Sequence, residues 1–589
     1  MSLRPHSADA RRRLRARLGL GLAAVFMPLP ATRMRAEEAG PVLGVMTHFA
    51  QGWDPRLAQV VAGAGIRSVR DELYWQDVEP EPGHYVFPAR YECYMEALRE
   101  EAVSPLIELT FANKGYDGGM TPFTQAGFDG YAAYGVAVLR HYGRQIGAVE
   151  LWNEYNGSFC KGPAQKDRAG TYARMIQVAY AALKSERPDL QVAGAATSGV
   201  PLPYLEHLFS LGALDSMDAV SIHPYRFNTP PEGIEQNVER LDRLIRRYNA
   251  GKPKPIWVTE LGWATKPAAA PLDLAITPTD QASFLVRAYA LLLSAGVERI
   301  YWYLLRDYDA FATMGLVHAD AASTPKPAYQ ALKTLQAAIG TARAAGREPT
   351  LAGFYSVLFR RTDGTEVRIV WSLQPRTLYL PAGCRATTML GDPVTGAAVE
   401  VGDAPLFIEG PLSGLPPADP DQPRRLATSS ADFAGRQDAE GWSYGFERES
   451  DGLFVALPRF VTSDWKSQWE GPYPFLSIAE TEQHPAVARN PSDAVGAVRR
   501  WTSSRAQRVA LHARFRAGAR GDGVRVAVST REKTLFGAAI GGRNPARADF
   551  DAVLALSAGD PVDFAVFPAT AANADFDATE VEVTLDQAR

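Results

Sequence analysis

Two glutamates, Glu154 and Glu260, each follow a short apolar run of the sequence. A pair of carboxyl groups facing one acetal carbon could hydrolyse it, because one protonates the leaving oxygen while the other attacks the anomeric carbon before water releases the sugar. Asn153, directly before Glu154, could bond the sugar 2-hydroxyl in the transition state. A single glutamate of this kind is most often a solvated loop residue. Two of them in matching places favour catalysis.

The region around these glutamates alternates short apolar runs with amphipathic stretches. The runs cover residues 42–48, 66–71, 105–110, 148–153, 191–195, 219–223, 255–259 and 299–304. The stretches between them cover residues 54–63, 91–101, 130–142, 170–185, 204–211, 236–248, 281–295 and 327–338. Eight buried strands, each followed by a helix, predict a (β/α)8 TIM barrel in the α/β class. An open doubly wound sheet is the alternative, but the glycine-rich phosphate turn expected of it is not evident.

A barrel brings the C-terminal ends of its strands together, so the fourth and seventh runs would present both glutamates at one mouth. The sixth run ends in Ser221-Ile222-His223-Pro224-Tyr225. A lone histidine is more often a structural residue, but at a barrel mouth His223 is a candidate for the site.

With these pieces placed, the sequence resembles the clan A retaining glycoside hydrolases, and most closely the family 39-like branch of β-xylosidases, α-L-iduronidases and bacterial exopolysaccharide glycosidases. The matching motifs are Trp152-Asn153-Glu154, Thr259-Glu260-Leu261-Gly262-Trp263, Ser68-Val69-Arg70-Asp71-Glu72, and the pattern from Trp75 through Val78-Glu79-Pro80 to Pro82-Gly83-His84-Tyr85-Val86-Phe87. The resemblance spans about residues 42–340 and implies that Glu154 is the general acid/base and Glu260 the nucleophile. Many relatives have proline after the acid/base glutamate, where this chain has Tyr155, so the subfamily and the substrate stay open.

The resemblance also implies roles for neighbouring residues. Arg70, placed at the end of the second run, would sit beside the nucleophile and keep it ionised. His223 and Tyr225 would stand near the carboxylates, and Trp302 would form the floor of a sugar subsite. The further candidates for the substrate-binding rim are Trp75, Trp263, His48 and Asn113.

Composition excludes several classes of protein. The 589 residues carry a net charge of −4, which gives no basis for a nucleic-acid partner. Three cysteines are too few for a disulfide scaffold. The histidines show no metal-binding spacing, and two carboxylates suffice for acetal hydrolysis, so we expect no metal and no cofactor. The expected partner is a carbohydrate substrate, and the oligomeric state stays open.

The N-terminus has the layout of an export signal. Basic residues 11–17 precede an apolar run over residues 18–30, with small residues at Ala31 and Ala36. We expect a signal peptide over residues 1–36, with the Arg11-Arg12 pair allowing the twin-arginine route, and a periplasmic or extracellular protein. A basic arm is the alternative. No other apolar run reaches 18 residues, so we expect no stable membrane insertion.

The sequence beyond the barrel (residues 40–345) is rich in short strand patterns. We expect a small β-sandwich over residues 346–412, a Pro-rich linker over 413–425 and a jelly-roll-like β module over 426–589. The tryptophans of the last module could bind carbohydrate or fill its core, and Asp575, Asp577 and Glu580 could ligate Ca²⁺ or form surface turns.

The leading hypothesis is therefore an exported retaining hydrolase of a polysaccharide or oligosaccharide. A non-catalytic sugar-binding or assembly protein on a barrel scaffold, and a transglycosylase using the same residues, are the alternatives. The sugar, the linkage and endo or exo action depend on loops whose shape the sequence does not give.

Overall fold

Eight parallel strands close into a barrel in the computed structural model. The structure describes residues 40–226, 229–265, 276–308, 313–417, 425–430, 432–462, 467–488, 493–518, 521–570 and 573–588. The predicted signal peptide at 1–36 and most of the Pro-rich linker lie outside the described residues. Among the described helices, none is long and apolar enough to cross a membrane.

The barrel strands follow one another in sequence order around the closed sheet, which confirms the predicted TIM barrel. They are β1 (Val42–Met46), β2 (Ser68–Tyr74), β3 (Ser104–Thr110), β4 (Ala148–Leu151), β5 (Gln191–Ser198), β6 (Ala219–His223), β7 (Ile256–Leu261) and β8 (Val297–Trp302). The second strand ends three residues later than residues 66–71 suggested. Arg70 consequently lies inside β2 rather than at its end.

Helices connect the strands on the outside of the barrel. They are α1 (Leu57–Gly63), α2 (Trp75–Val78), α3 (Ala89–Glu100), α4 (Gln125–Tyr142), α5 (Arg168–Glu186), α6 (Leu202–Ser210), α7 (Ile234–Tyr248), α8 (Pro278–Ser294) and α9 (Pro327–Ile339). Capping side chains mark the starts of α4, α5 and α8. The Asp167 carboxylate accepts from the Gly170 amide at the start of α5, and Thr277 and Asp280 form a capping box before α8.

The inside of the barrel has two layers of different character. A floor layer packs apolar side chains toward the N-terminal ends of the strands; its members are Leu106, Ala148, Ala193, Ala219, Trp257 and Tyr301. Two residues further along β3 and β4, the inward positions hold Glu108 and Glu150, which are adjacent across the sheet. Side chains alternate along a strand, so this spacing places both carboxyl groups in one charged layer above the floor layer.

A second group of strands follows the barrel. A six-stranded sheet and a two-stranded sheet are built from β9 (Arg343–Arg347), β10 (Phe354–Arg360), β11 (Glu366–Ser372), β12 (Arg376–Tyr379), β13 (Arg385–Thr388), β14 (Pro393–Val394), β15 (Ala398–Val401) and β16 (Leu406–Glu409). The Trp371 indole donates to Glu232 at 3.0 Å, and Arg287 of α8 bonds the same carboxylate at 2.5 Å. These bonds tie the sheet to the barrel.

The C-terminal module consists of two antiparallel sheets. Its strands are β17 (Arg425–Thr428), β18 (Trp442–Arg448), β19 (Val455–Ala456), β20 (Arg459–Thr462), β21 (Ser467–Glu470), β22 (Ser477–Ala479), β23 (Glu482–His484), β24 (Ala486–Val487), β25 (Ala494–Thr502), β26 (Gln507–Ala517), β27 (Val524–Thr530), β28 (Thr534–Ile540), β29 (Arg547–Leu556), β30 (Pro561–Pro568) and β31 (Thr579–Ala588). Trp442, Trp469 and Trp501 are buried in its apolar core. These three tryptophans therefore serve packing and offer no flat surface to a glycan.

Candidate active site

Glu154 and Glu260 meet at the C-terminal mouth of the barrel, on either side of His223. One oxygen of each carboxylate and one ring nitrogen of His223 lie within 4.8 Å of one another. The two carboxyl side chains are 17% and 11% exposed, whereas the His223 side chain is inaccessible. Two glutamates 106 residues apart therefore face one small, accessible space from β7 and from the loop after β4.

The backbone around Glu260 explains why this side chain points into the mouth. The register between β7 and β8 shifts between Val258 and Leu261. Thr259 bonds His223, and its immediate neighbour Glu260 also reaches the interior, because such an irregularity re-aims a side chain that strict alternation would turn outward.

Glu154 is held on an unusual backbone. Trp152 has φ 71° and Glu154 has φ 41°, in the left-handed region that costs a non-glycine residue free energy. The rings of Trp152 and Tyr155 are buried and lie 5.8 Å apart, and Tyr155 packs 4.8 Å from Tyr172. The buried Tyr155 ring thus holds the loop after β4 against the barrel, and Glu154 points into the site.

Both oxygens of Glu260 are engaged. Arg70 donates to Oε1 at 2.7 Å, and the Tyr225 hydroxyl donates to Oε2 at 2.8 Å. Such charge-assisted hydrogen bonds fix the orientation of the carboxylate. The sequence-based expectation that Arg70 and Tyr225 stand beside Glu260 corresponds to direct contacts.

Arg70, on β2, is the centre of a buried network that reaches β3, β4 and β7. Its side chain is inaccessible and bonds Glu150 at 2.6 Å and Glu108 at 2.7 Å, in addition to Glu260. Burial opposes the cation, but attraction to the three carboxylates outweighs it and raises the pKa of Arg70 well above its usual value. Burial also raises the pKa of Glu108 well above its ordinary range, although the charge of Arg70 opposes this rise.

His223 connects the two carboxylates. Its Nδ1 lies 3.0 Å from Glu154 Oε1 and 3.7 Å from Glu260 Oε2, and its Nε2 lies 3.1 Å from the Thr259 hydroxyl. The pKa of His223 is raised overall: burial lowers it, but the charge of Glu260 and the hydrogen bond to Glu154 outweigh burial. The pKa of Glu154 is lowered overall: burial raises it, but the hydrogen bond to His223 outweighs burial. These opposite shifts follow from the hydrogen bond that couples the two side chains.

Glu154, His223 and Glu260 are also spaced closely enough to surround a metal ion. Their bonding state does not suit one, because Glu260 already accepts from Arg70 and Tyr225 and His223 is hydrogen-bonded to Glu154. A cation would have to displace the Arg70 guanidinium, whose position is fixed by Glu108 and Glu150.

The other predicted site residues divide into two groups. Asn153 lies in the site, where its Oδ1 accepts from Arg70 at 3.2 Å and leaves its amide NH₂ for a ligand. His48 borders the site through the Tyr303 hydroxyl at 3.1 Å. Asn113 is 1% exposed and bonds the Glu79 carbonyl, so it braces a loop instead of touching substrate.

Trp302, expected at the floor of a sugar subsite, and Trp75 and Trp263, expected at the rim, are all buried. Trp302 donates to the Met314 carbonyl at 2.9 Å and lies against Trp263. Trp75 stacks on Tyr116. In this structure the three side chains therefore pack in the wall behind the mouth.

Sequence reasoning missed several residues at the site. Glu108 and Glu150 lie inside otherwise apolar strand patterns, two residues and one residue before their strand ends, and both occupy inward positions. Half-buried Trp53, whose ring meets His48 at 5.3 Å, is an aromatic side chain near the mouth with exposed surface. Its place just after β1 was a usable signal, since loops after barrel strands form the site.

Comparisons with known proteins give a consistent result for the fold. No family model matches the chain. A probable glucan endo-1,3-beta-glucosidase of Aspergillus clavatus is 24% identical over 210 residues, which is 33% of this chain and 43% of the relative. The chain thus matches less than half the length of that curated relative.

Solved structures resemble the chain over a longer stretch. A family 39 glycoside hydrolase from the gut symbiont Bacteroides cellulosilyticus has a TM-score of 0.54 at 22% identity, covering 63% of this chain and 81% of that one. A family 39 β-xylosidase from Caulobacter crescentus has a TM-score of 0.47 at 17% identity, covering 64% and 98%. The first of these shows that the chain has the fold of the family 39 glycoside hydrolases, as the sequence motifs implied.

Proposed function

We propose that the protein is an exported retaining glycoside hydrolase that cleaves glycosidic bonds in a polysaccharide or oligosaccharide, with Glu154 as acid/base and Glu260 as nucleophile. The observation that carries the proposal is the approach of the two carboxylates to within 4.8 Å. Retaining enzymes hold their carboxyl groups about 5–5.5 Å apart, whereas inverting enzymes need about 6.5–9.5 Å to admit a water molecule.

The first step is displacement of the leaving group. Glu260, oriented by Arg70 and Tyr225, attacks the anomeric carbon and forms a glycosyl ester. The leaving oxygen takes a proton from Glu154, whose carboxyl group is hydrogen-bonded to His223. The free amide of Asn153 stands beside Arg70, where it can bond the sugar 2-hydroxyl.

The second step reverses the proton flow. Once Glu260 is an ester it no longer carries the charge that raises the pKa of His223. Glu154, freed of the leaving group, takes a proton from water, which attacks the same carbon from the face that the leaving group vacated. Two inversions give net retention of configuration.

Export is the remaining part of the proposal. It is supported by the basic residues 11–17 followed by the apolar run 18–30. A protein outside the cytoplasm meets polymeric glycans, which agrees with a polysaccharide substrate. N-terminal sequencing of protein recovered from the periplasm or medium tests this point, and a mature chain beginning before Ala31 would contradict it.

The catalytic roles are tested with Glu260→Ala and Glu154→Ala. We expect both to lose turnover by at least about 10⁴-fold on aryl glycosides with poor leaving groups. Azide, an anion small enough to occupy the space of a removed carboxylate, should restore product formation in both variants on aryl glycosides with good leaving groups, which depart without a proton. The glycosyl azide should have inverted configuration with Glu260→Ala and retained configuration with Glu154→Ala.

Proton NMR of the first product of the wild-type protein completes the test. Retained anomeric configuration supports the proposal. Inverted product, or full turnover by Glu260→Ala, would contradict it. Products longer than the substrate would instead identify a transglycosylase, and glycan binding without any turnover would identify a non-catalytic binding protein.

A further inference from the structure

A cleft of about 390 Å³ separates the barrel from the C-terminal module. Its barrel wall consists of residues 198–203 after β5, Pro224 and Tyr225 after β6, and two side chains of α7. Its other wall comes from the C-terminal module, namely Phe433, Ser467 and residues 479–482. Loops of an accessory module thus face the side of the barrel mouth.

The cleft adjoins the two carboxylates through shared residues. Tyr225, whose hydroxyl bonds Glu260, also lines the cleft. Ser198 lines it as well, and its side chain lies close enough to Glu154 to lower the pKa of that carboxyl group. Ser198 is fixed in place by Asn156, which accepts from its amide at 2.9 Å. A chain leaving the acid/base side of the mouth therefore enters this cleft directly.

The two walls present complementary polar groups. Arg240 of α7 is half-buried, lines the cleft and donates from Nη2 to the Phe433 carbonyl at 3.3 Å. On the opposite wall, Glu480 is exposed and its carboxylate interacts electrostatically with Arg240. A guanidinium on one wall and a carboxylate on the other suit a ligand rich in hydroxyl groups, which can donate to one and accept from the other.

The charge of the lining narrows the ligand further. Arg240 is accompanied by two glutamates, Glu480 and Glu482. The net negative lining would repel a polyanionic glycan, and binding would also cost the free energy of desolvating its charges. A neutral glycan avoids both effects. The cleft volume exceeds one monosaccharide and fits a short segment of chain.

We propose that this cleft binds the leaving-group side of a neutral glycan chain, so that the C-terminal module contributes Glu480 to substrate binding together with Arg240 of the barrel. The inference rests on the proposed hydrolase function and names its substrate class as a chain of several uncharged sugars. The leaving-group side is assigned because Ser198 accompanies Glu154, the residue that protonates the leaving oxygen.

The experiment compares long and short substrates in one set of variants. Xylohexaose and laminarihexaose are the long probes, and the p-nitrophenyl glycoside of the cleaved sugar is the short one. The ratio of their kcat/KM values is measured for the wild type, Arg240→Ala, Glu480→Ala and Glu480→Gln. This ratio is independent of the folded fraction, so a merely structural role would not move it.

We expect Arg240→Ala and Glu480→Ala each to lower this ratio about tenfold through KM, because each removes a hydrogen bond involving a charged group. Glu480→Gln keeps an acceptor and should recover part of the loss. Glu532→Ala is the matched control, since Glu532 is an exposed glutamate of the same module between β27 and β28 and should keep the wild-type ratio.

Binding separates failure of this inference from failure of the proposed function. Calorimetry with Glu260→Gln measures hexasaccharide affinity without turnover, alone and combined with Glu480→Ala. Unchanged ratios and unchanged affinity in the cleft variants would overturn the inference while the hydrolase stands. Hexasaccharide binding that Glu480→Ala weakens, in a wild type that cleaves nothing, would support the cleft and remove the hydrolase. Tighter binding of polygalacturonate hexamers than of the neutral hexamers would also overturn it.

Discussion

Two arginines are completely buried in different parts of the molecule, and their surroundings are opposite. Arg70, inside the barrel, is bonded to Glu108, Glu150 and Glu260. Arg499, on β25 of the C-terminal module, is bonded to the Gln483 side-chain oxygen at 2.9 Å and to backbone carbonyls. Burial lowers the pKa of Arg499 to about 10, whereas the carboxylates raise that of Arg70.

The different partners of the two arginines indicate different roles, one at the proposed active site and one in holding two sheets together. Arg499 joins the two sheets of its module, because Gln483 and the carbonyl of Ala479 belong to the sheet opposite β25. Neutral acceptors suffice for that purpose. The partners of Arg70 are carboxyl groups instead, and one of them, Glu260, is the proposed nucleophile. A buried cation surrounded by an excess of carboxylates is therefore a sign of a reactive site.

The comparison is tested most strongly by Arg70→Lys. Lysine keeps the charge but cannot bond Glu108, Glu150 and Glu260 at once, so kcat should fall by about 10²–10³-fold. Steady-state kinetics on an aryl glycoside measures the change. Arg499→Lys is the matched control and should retain wild-type kcat. Equal losses in the two variants would show that the charged partners of Arg70 have no special role.

Arg499→Met should have its effect on stability instead. Removing the guanidinium leaves the Gln483 oxygen and several carbonyls without a donor between the two sheets, which should cost about 3 kcal/mol. Urea unfolding followed by tryptophan fluorescence measures this loss, with kcat on the short substrate as the companion reading. A stable variant with reduced kcat would reverse the assignment of the two arginines.

Asp577 extends the comparison to a buried carboxylate that has no cation. It is 1% exposed, and neither of its oxygens has a hydrogen-bond partner. Burial, together with repulsion from Asp522 and Asp575, raises its pKa to about 7. Because its pKa in the unfolded chain is about 3.9, the folded state binds the proton more tightly, and stability falls as pH rises from about 4 to about 7.

Asp577→Asn should therefore stabilise the protein by on the order of 2 kcal/mol at pH 8 and by little at pH 4. Chemical unfolding at the two pH values gives the difference. Asp551→Asn is a control, because this aspartate is exposed on the same module. A gain of the same size at both pH values would rule out titration as the cause.

The smallest expected effect is that of Glu108→Gln. Burial raises the pKa of Glu108 and so favours its neutral form, and glutamine is a neutral group of similar shape, so kcat should fall less than about tenfold. Glu150→Gln removes a carboxylate that bonds Arg70 directly and should cost more. The ratio of the two kcat values shows which of the two carboxyl groups carries the negative charge beside Arg70. A larger loss from Glu108→Gln than from Glu150→Gln would assign that charge to Glu108.

How much of this was predictable from sequence depends on the kind of residue. Eight short apolar runs located the barrel, and the position of Glu154 and Glu260 after two of them located the site, because strand ends meet wherever a barrel closes. Glu108 and Glu150 were not predicted as site residues, because each is a single charged residue in an apolar strand. Only the strand register, which the sequence does not show, places them side by side. Trp302 and Trp263 were misplaced because a sequence shows which residues are aromatic but not which ring covers which.

The floor layer of the barrel determines where substrate, water and product can enter and leave the site. Leu106, Trp257 and Tyr301 fill the barrel beneath the charged layer, so within the described residues the floor of the barrel is closed and the site is reached from the C-terminal mouth. Under the proposed mechanism, incoming water and the departing fragment both pass that mouth. Departure of the fragment would then precede attack of water or another acceptor on the sugar ester.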